Sequence, residues 1–241
     1  MLHYLSHNKC GRRIQVGEHV YSMGRLFKTE EDSFTSSIFE LLTYLPKDIL
    51  WEVLTAASSV YHEQHLPAKP SPLLSFEFWP HWNPDSTENV NFVEPDLLLE
   101  FEDYHIIVEA KRDDFGETQW RGQWEKEVTS YCNQYQETFR KDVYLLAVAG
   151  LRPGQERQQA IKVDVLERFV PVSFTRWKDI RNVVLEITAR VAKEPISVYS
   201  GVLHVLNSLL LAFRVHGFSS ALLLNTLPQS YQINYTNLPR L

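Results

Sequence analysis

Cysteine is almost absent from this chain: 241 residues contain two, Cys10 and Cys132. Two thiols so placed give neither a disulfide framework nor a zinc site. Glycine is sparse as well. Its nine residues are scattered and form no glycine-rich phosphate loop, so nucleotide hydrolysis has no support. No low-complexity tract or internal repeat is visible. The longest apolar stretch, Val202 to Val215, is interrupted by His204, Asn207 and Arg214 and is too short to span a bilayer. The N-terminal "MLHYLSHNKCGRR" lacks an apolar signal core. A reducing cytoplasm, with no membrane attachment, is the expectation.

Positive charge is also in deficit. Lysine and arginine number 24 against 30 aspartates and glutamates, a net charge of −6. That disfavours gripping nucleic acid with the whole surface and leaves room for a local basic groove. Basic residues pair at Arg12-Arg13, Lys111-Arg112 and Arg140-Lys141. Apart from Lys111 these read as ordinary solvated surface. Apolar residues, in contrast, are plentiful. With 44% hydrophobic and 12% aromatic residues, the chain can bury a substantial core. Its length suits one domain with appendages or two small ones.

Residues 1–28 have no clear period and read as an arm with at most a short strand. "TEEDSFTSSIFELLTYL" starts a helix, with Thr29 as cap and Glu30, Glu31 and Asp32 at the positive end of its dipole. "KDILWEVLTAAS" is a second helix. "LLSFEFWPHW" reads as a strand, then "EPDLLLEFEDYHIIVEAK" as a hairpin and "GETQWRGQWEKEVTSYCNQYQETF" as a helix. "KDVYLLAVAGL" is a buried strand, and "RFVPVSF" is one more. "WKDIRNVVLEITARVAK" and "ISVYSGVLHVLNSLLLAFRVH" are helices divided by Pro195, and the end from Gly217 is a loop or docking tail. The expected organisation is an arm (1–28), an α/β (α+β) core with a mixed sheet flanked by helices (29–175), and a C-terminal helical extension and tail (176–241).

The hairpin holds the chemistry. A two-residue turn at Glu102-Asp103 sets Phe101 against Tyr104 and Asp96 opposite Glu109. One face then carries Leu97, Leu99, Phe101, Tyr104, Ile106, Val108 and Ala110, all apolar or aromatic. The other carries Asp96, Leu98, Glu100, His105, Ile107, Glu109 and Lys111. Like charges directly opposed destabilise a sheet, so Asp96 and Glu109 need a cation or a proton between them. A hard divalent ion such as Mg²⁺ suits two carboxylates. Lys111, on the same face, can orient or deprotonate a water, or stabilise charge on a phosphate. The alternative is a solvated face on which Lys111 simply pairs with Glu109.

Glu94-Pro95-Asp96, twelve residues, then Glu109-Ala110-Lys111 resembles the PD-(D/E)XK nuclease superfamily, also called restriction-endonuclease-like. The element order from residue 29 to 151 is similar to that family's αβββαβ core. The resemblance implies that Asp96, Glu109 and the Ala110 carbonyl hold Mg²⁺, with Mn²⁺ able to substitute, and that Lys111 acts on the water or the phosphate. It implies a further acidic residue on the first helix, with Glu31 chosen and Glu30 and Glu40 as rivals. It also implies a substrate-binding glutamine on the helix after the third strand, in the region of Gln119 and Gln123. The glutamine-tyrosine spacing of some members is absent, because Glu127 stands four before Tyr131; Gln123 remains the candidate, with Arg112 beside it.

The expected function is therefore a Mg²⁺-dependent nuclease acting on DNA, in a restriction, repair or phage-defence assembly and aided by a protein partner or a second copy. A nuclease-like scaffold that binds nucleic acid or protein without cleaving is the alternative, and an unrelated α/β protein the third. "HEQH" at His62–His65 lacks zincin spacing and "HWN" at His81 lacks the rest of a nuclease finger. No Ser or Cys nucleophile with a paired base is identifiable. The six tryptophans can stack bases, though Trp120 and Trp124 read as core. In the last helix Val198, Val202, Val205, Leu206, Leu209, Leu210 and Phe213 form a stripe. It packs on the preceding helix or meets a second subunit.

Overall fold

The computed structural model describes residues 13–16, 19–22, 27, 30–58, 66–115, 119–135, 141–151, 160–163, 168–194 and 196–218. Strands β1 (Arg13–Val16) and β2 (His19–Ser22) pair with each other as an antiparallel ribbon. Helix α1 (Glu31–Thr43) begins after Glu30, whose extended backbone occupies the cap position without a side-chain cap bond. Thr29, the expected cap, lies outside the described residues, as do His62–His65, Cys10 and residues 219–241. Phe34, Ile38 and Leu42 bury one stripe of α1, and α2 (Lys47–Ser58) follows directly.

The expected meander is present. Strands β3 (Leu73–Phe78), β4 (Leu97–Phe101) and β5 (Tyr104–Ala110) are antiparallel neighbours. Helix α3 (Arg121–Tyr135) then carries the chain to β6 (Asp142–Val148), parallel to β5. Strand β8 (Arg168–Thr175) lies parallel to β6, and β7 (Ala160–Val163) pairs antiparallel with β8. The six-stranded open mixed sheet has the order β3-β4-β5-β6-β8-β7. Strand β7 was not legible in the sequence: four residues are too few to show a period. Helices α4 (Trp177–Val191) and α5 (Ile196–Val215) complete the described chain, and no described helix is long and apolar enough to cross a membrane.

The β4–β5 register matches the sequence reading. Leu97 faces Val108, Leu98 faces Ile107, Leu99 faces Ile106 and Glu100 faces His105. The turn achieves it without the positive φ values of a type I′ loop, since neither Glu102 nor Asp103 is left-handed. Instead the Glu102 amide donates to the Pro72 carbonyl (2.9 Å) and the Asp103 amide to Ser71 Oγ (3.1 Å). The loop before β3 thus holds the turn from outside.

Both faces of the central strands are covered by helices, as expected of a flanked sheet, while β3 at the edge stays largely exposed. The charge-bearing face of β4 and β5 is therefore not an open solvated one. Leu97, Leu99, Phe101, Ile106, Val108 and Ala110 pack with α1, α2, α4 and α5 in one cluster. Leu98, Ile107, Leu145, Ala147 and Phe174 pack with Trp124, Val128 and Tyr131 of α3 in another. Helix α5 does not stand apart. Leu206, Leu209 and Phe213 join the first cluster, and Phe213 meets Phe34 of α1 edge-on with centroids 5.8 Å apart.

The loop after β5 fixes α4. The residue before α4, Arg176, offers no side-chain cap. Asp114 supplies one from a distance, accepting the Trp177 amide at 2.8 Å and the Lys178 amide at 3.3 Å. The carboxylate satisfies amides left orphaned at a helix start and complements the dipole. Trp177 Nε1 in turn donates to the Lys111 carbonyl at 2.7 Å. Asp114→Ala is expected to lower stability by about 1–2 kcal/mol, the upper part of the range for lost caps. Urea unfolding checks this; a change within a few tenths would remove Asp114 from the account of α4.

Candidate active site

Asp96 immediately precedes the Leu97–Val108 pair that ends the β4–β5 ladder, and the charge of Glu109 acts on it. Asp96 Oδ2 reaches across and accepts the Ala110 amide at 2.6 Å. Glu109 is buried. Lys111 Nζ sits 2.7 Å from Glu109 Oε1 and 3.6 Å from Glu31 Oε1. The other Glu31 oxygen accepts the Arg112 amide. Four residues singled out in the sequence, Glu31, Asp96, Glu109 and Lys111, are therefore brought together, with Ala110 between them. Of the rivals to Glu31, Glu30 is the exposed cap residue and Glu40 is exposed, accepting the Tyr44 hydroxyl.

A fifth group was missed. Glu127 projects from α3 toward Glu109 and is 0% exposed. Gln123 Nε2 donates to Glu127 Oε1 at 2.7 Å, while Glu127 Oε2 finds no donor. Burial and the neighbouring Glu109 charge both favour a proton on Glu127. Gln123, expected to touch substrate, is thus engaged with Glu127. Gln119 is engaged too: its Nε2 donates to the carbonyls of Glu109 (3.0 Å) and Val148 (3.2 Å), and its Oε1 accepts Trp124 Nε1 (2.9 Å). The signal was there to read. Gln119, Gln123 and Glu127 recur every four residues, which is one face of a helix, and Trp124 and Val128 mark the sheet-facing side.

Arg112 was also expected at the substrate. Its guanidinium instead lies over the Phe34 ring (4.7 Å) and near that of Phe218 (5.4 Å), with Nη2 donating to the His216 carbonyl at 2.6 Å. It fastens the end of α5 to α1. His81 pairs with Glu94 at 2.6 Å and stacks on Phe92. Of the two tryptophans read as core, Trp124 is buried but Trp120 is exposed.

The charges are strongly perturbed. Burial, then the charge of Glu109, pushes the Asp96 carboxyl well above the usual range, against the Ala110 amide and Lys111. Burial, then the charge and hydrogen bond of Glu109, does the same to Glu127. Burial pulls the Lys111 ammonium down, but Glu109, Glu31 and Asp96 together outweigh it, so its pKa ends above that of an ordinary lysine. Lys111 is therefore a cation here. It suits holding negative charge rather than taking a proton from water.

Among the described residues, no three His, Cys, Asp or Glu side chains stand together as a ready-made metal cage. Mg²⁺ does not require one; it binds through one or two carboxylates, with water and substrate phosphate completing its shell. Asp96 and Glu109 fit that need. They are hard oxygen donors, the charge of Glu109 acts on Asp96, and the ionised form of Asp96 is penalised by burial and by its neighbour. A divalent cation relieves that penalty.

No family model matches the chain, and no solved structure matches it. An uncharacterized protein of Pasteurella multocida is similar, 29% identical over 169 residues. The match takes in 69% of this chain and 58% of that protein, so the chain spans less than two thirds of the relative's length.

Glu127 gives a pH test. A carboxyl whose folded pKa is raised binds its proton more tightly folded than unfolded. Its contribution is then fully present below the unfolded pKa and is lost as pH rises toward the folded one. Glu127→Gln keeps the shape without the charge. It is expected to melt higher than the parent at pH 8, with the gap closing as pH falls below the ordinary glutamate range. A variant that melts lower than the parent by the same amount at every pH would contradict the buried-acid assignment.

Proposed function

We propose that the chain is a Mg²⁺-dependent nuclease that hydrolyses phosphodiester bonds in DNA. One observation carries the reading: at the end of the β4–β5 hairpin the Asp96 carboxylate accepts the Ala110 amide and feels the charge of Glu109, with Lys111 cationic beside them. The resemblance of Glu94-Pro95-Asp96 and Glu109-Ala110-Lys111 to the PD-(D/E)XK pattern supports it. So does the order of elements, a helix pair, a three-stranded meander, a crossover helix and a parallel strand, which resembles the αβββαβ order of a restriction-endonuclease-like core.

In this reading Asp96, Glu109 and the Ala110 carbonyl hold the ion, with Mn²⁺ able to replace Mg²⁺. Bound there, the ion supplies Lewis-acid polarisation of the phosphate and a more acidic water. The protein's own groups do the rest. Lys111 stabilises negative charge growing on the phosphate. Glu31 holds the Arg112 amide and adds a second carboxylate beside Lys111, keeping the ammonium charged and in place. Gln119 fixes the Glu109 carbonyl and Gln123 orients Glu127 behind the Glu109 carboxyl. The acidic surface favours delivery of the substrate by a partner or a second copy, as in a restriction, repair or phage-defence assembly.

Cleavage of a panel of DNA and RNA substrates in Mg²⁺ and Mn²⁺ tests the reading. Lys111→Ala is expected to slow cleavage by about 10²–10⁴-fold, the usual loss for one positioned charge, with substrate affinity little changed. No metal-dependent cleavage by the parent, or a Lys111→Ala variant at the parent's rate once bound, would overturn it and leave the non-cleaving scaffold.

A further inference from the structure

Trp120 is the one exposed tryptophan of six. Trp51, Trp82, Trp124 and Trp177 are buried and Trp79 is half-buried, whereas Trp120 is 58% exposed. Its ring is nonetheless held. Trp120 stands at the start of α3, its carbonyl accepting the amides of Gln123 and Trp124. The indole lies across Gly122: a Cβ added there would meet Trp120 ring carbons at 2.6 and 2.8 Å. Glycine inside a helix costs about 1 kcal/mol relative to alanine, and here the missing side chain is the space the ring uses. Lys126 Nζ stands 5.0 Å from the ring centroid, itself 3.0 Å from Glu88. A flat ring fixed from below by a glycine and flanked by a cation, with more than half its surface open, is a presented surface rather than a misplaced core residue.

The ring also borders an open, shallow depression of about 500 Å³, lined by Ser86, Thr87 and Glu88 of the β3–β4 loop and by Glu125, Lys126 and Thr129. One wall is aromatic; the others offer hydroxyl, carboxylate and ammonium groups. An unpaired nucleobase has this chemistry, an apolar face for stacking and a polar edge for hydrogen bonds. A duplex hides the stacking face and the Watson–Crick edge, leaving only its groove edges in reach. The platform adjoins the candidate active site through the chain: Trp120 directly follows Gln119, which is bonded to the Glu109 carbonyl, and Gly122 and Lys126 directly precede Gln123 and Glu127 on α3. A second exposed ring, Phe115, is 63% exposed four residues after Lys111, with Lys178 Nζ 5.7 Å from its centroid.

We propose that Trp120 is a stacking platform for an unpaired base beside the candidate active site, so that the strand this chain engages is single-stranded nucleic acid. The inference rests on the nuclease reading for what happens to that strand, but its test does not. Binding of oligo(dT), oligo(rU), an abasic oligomer and a duplex is measured by fluorescence anisotropy with the full chain and a chelator present, so that no cleavage intrudes. The parent is expected to bind oligo(dT) or oligo(rU) more tightly than duplex or abasic strand, the ratio of the two assigning DNA or RNA. Trp120→Ala should weaken single-strand binding by roughly 5- to 150-fold, the loss typical of one stacked base, and leave duplex binding unmoved.

Gly122→Ala separates the platform from a folding defect. Alanine favours the helix, so the variant should melt no lower than the parent while displacing the indole and binding single strands more weakly. Undiminished single-strand binding by both variants, or a parent that prefers duplex or binds neither oligomer, overturns the platform. The two readings fail separately. A platform that fails while Lys111→Ala still abolishes cleavage leaves the nuclease standing; a platform that holds in a chain that never cleaves leaves a single-strand binder.

Discussion

Everything near the candidate site follows from two carboxylates brought together at the end of the β4–β5 hairpin. At the spacing usual for opposed strand residues, about 5 Å, and an effective dielectric near 20, two ionised carboxylates would repel by roughly 3 kcal/mol. The fold could have avoided this with one neutral residue. It instead surrounds the pair with partial answers: the Ala110 amide on Asp96, the Lys111 ammonium on Glu109, and Glu31 beyond the ammonium. The answers are incomplete, because burial still holds Asp96 well above its ordinary pKa. Glu127 makes the crowding worse from behind. A second cation beside Lys111 would relieve what burial and the Glu109 charge impose on Asp96.

The surrounding architecture serves to hold that crowding rigid. Both faces of β4 and β5 pack against helices, so the two strands cannot slip by one residue without burying Glu100 and Glu109 in the wrong cluster. Ser71 and Pro72 pin the turn at one end. At the other, Trp177 holds the Lys111 carbonyl, and Asp114 holds α4. Arg112 ties the same loop to the end of α5 through the His216 carbonyl. The C-terminal helices are thus braces for the end of β5, which is where the sequence offered no role for them beyond an extension.

The hairpin register was legible because two independent patterns, alternation in each strand, agreed on one pairing. The order of helices and strands from residue 30 to 175 was legible from hydrophobic period alone. Strand β7 was too short for that. Helices on both sheet faces were expected, but the burial of Glu127 beneath one of them was not. Glu127 shows why: a buried carboxylate has the same letter as an exposed one, and only the partner across the interface reveals it. Trp120 erred in the opposite sense, since an aromatic at helical spacing normally points inward and Gly122, which tips its ring outward, carries no signal of its own. Arg112 was read as substrate-facing from its place beside Lys111, but neighbours in a strand alternate sides, and its side chain turns toward α1.

Calorimetric titration of Mn²⁺ and Mg²⁺ into the parent, Asp96→Asn and Glu109→Gln tests the central claim most directly. Both variants keep the shape and remove one of the two charges. The account predicts that the parent binds a divalent ion and that each substitution abolishes the binding while leaving a chain that melts as high or higher without metal. A parent that takes up neither ion, or variants that bind it undiminished, would contradict the account.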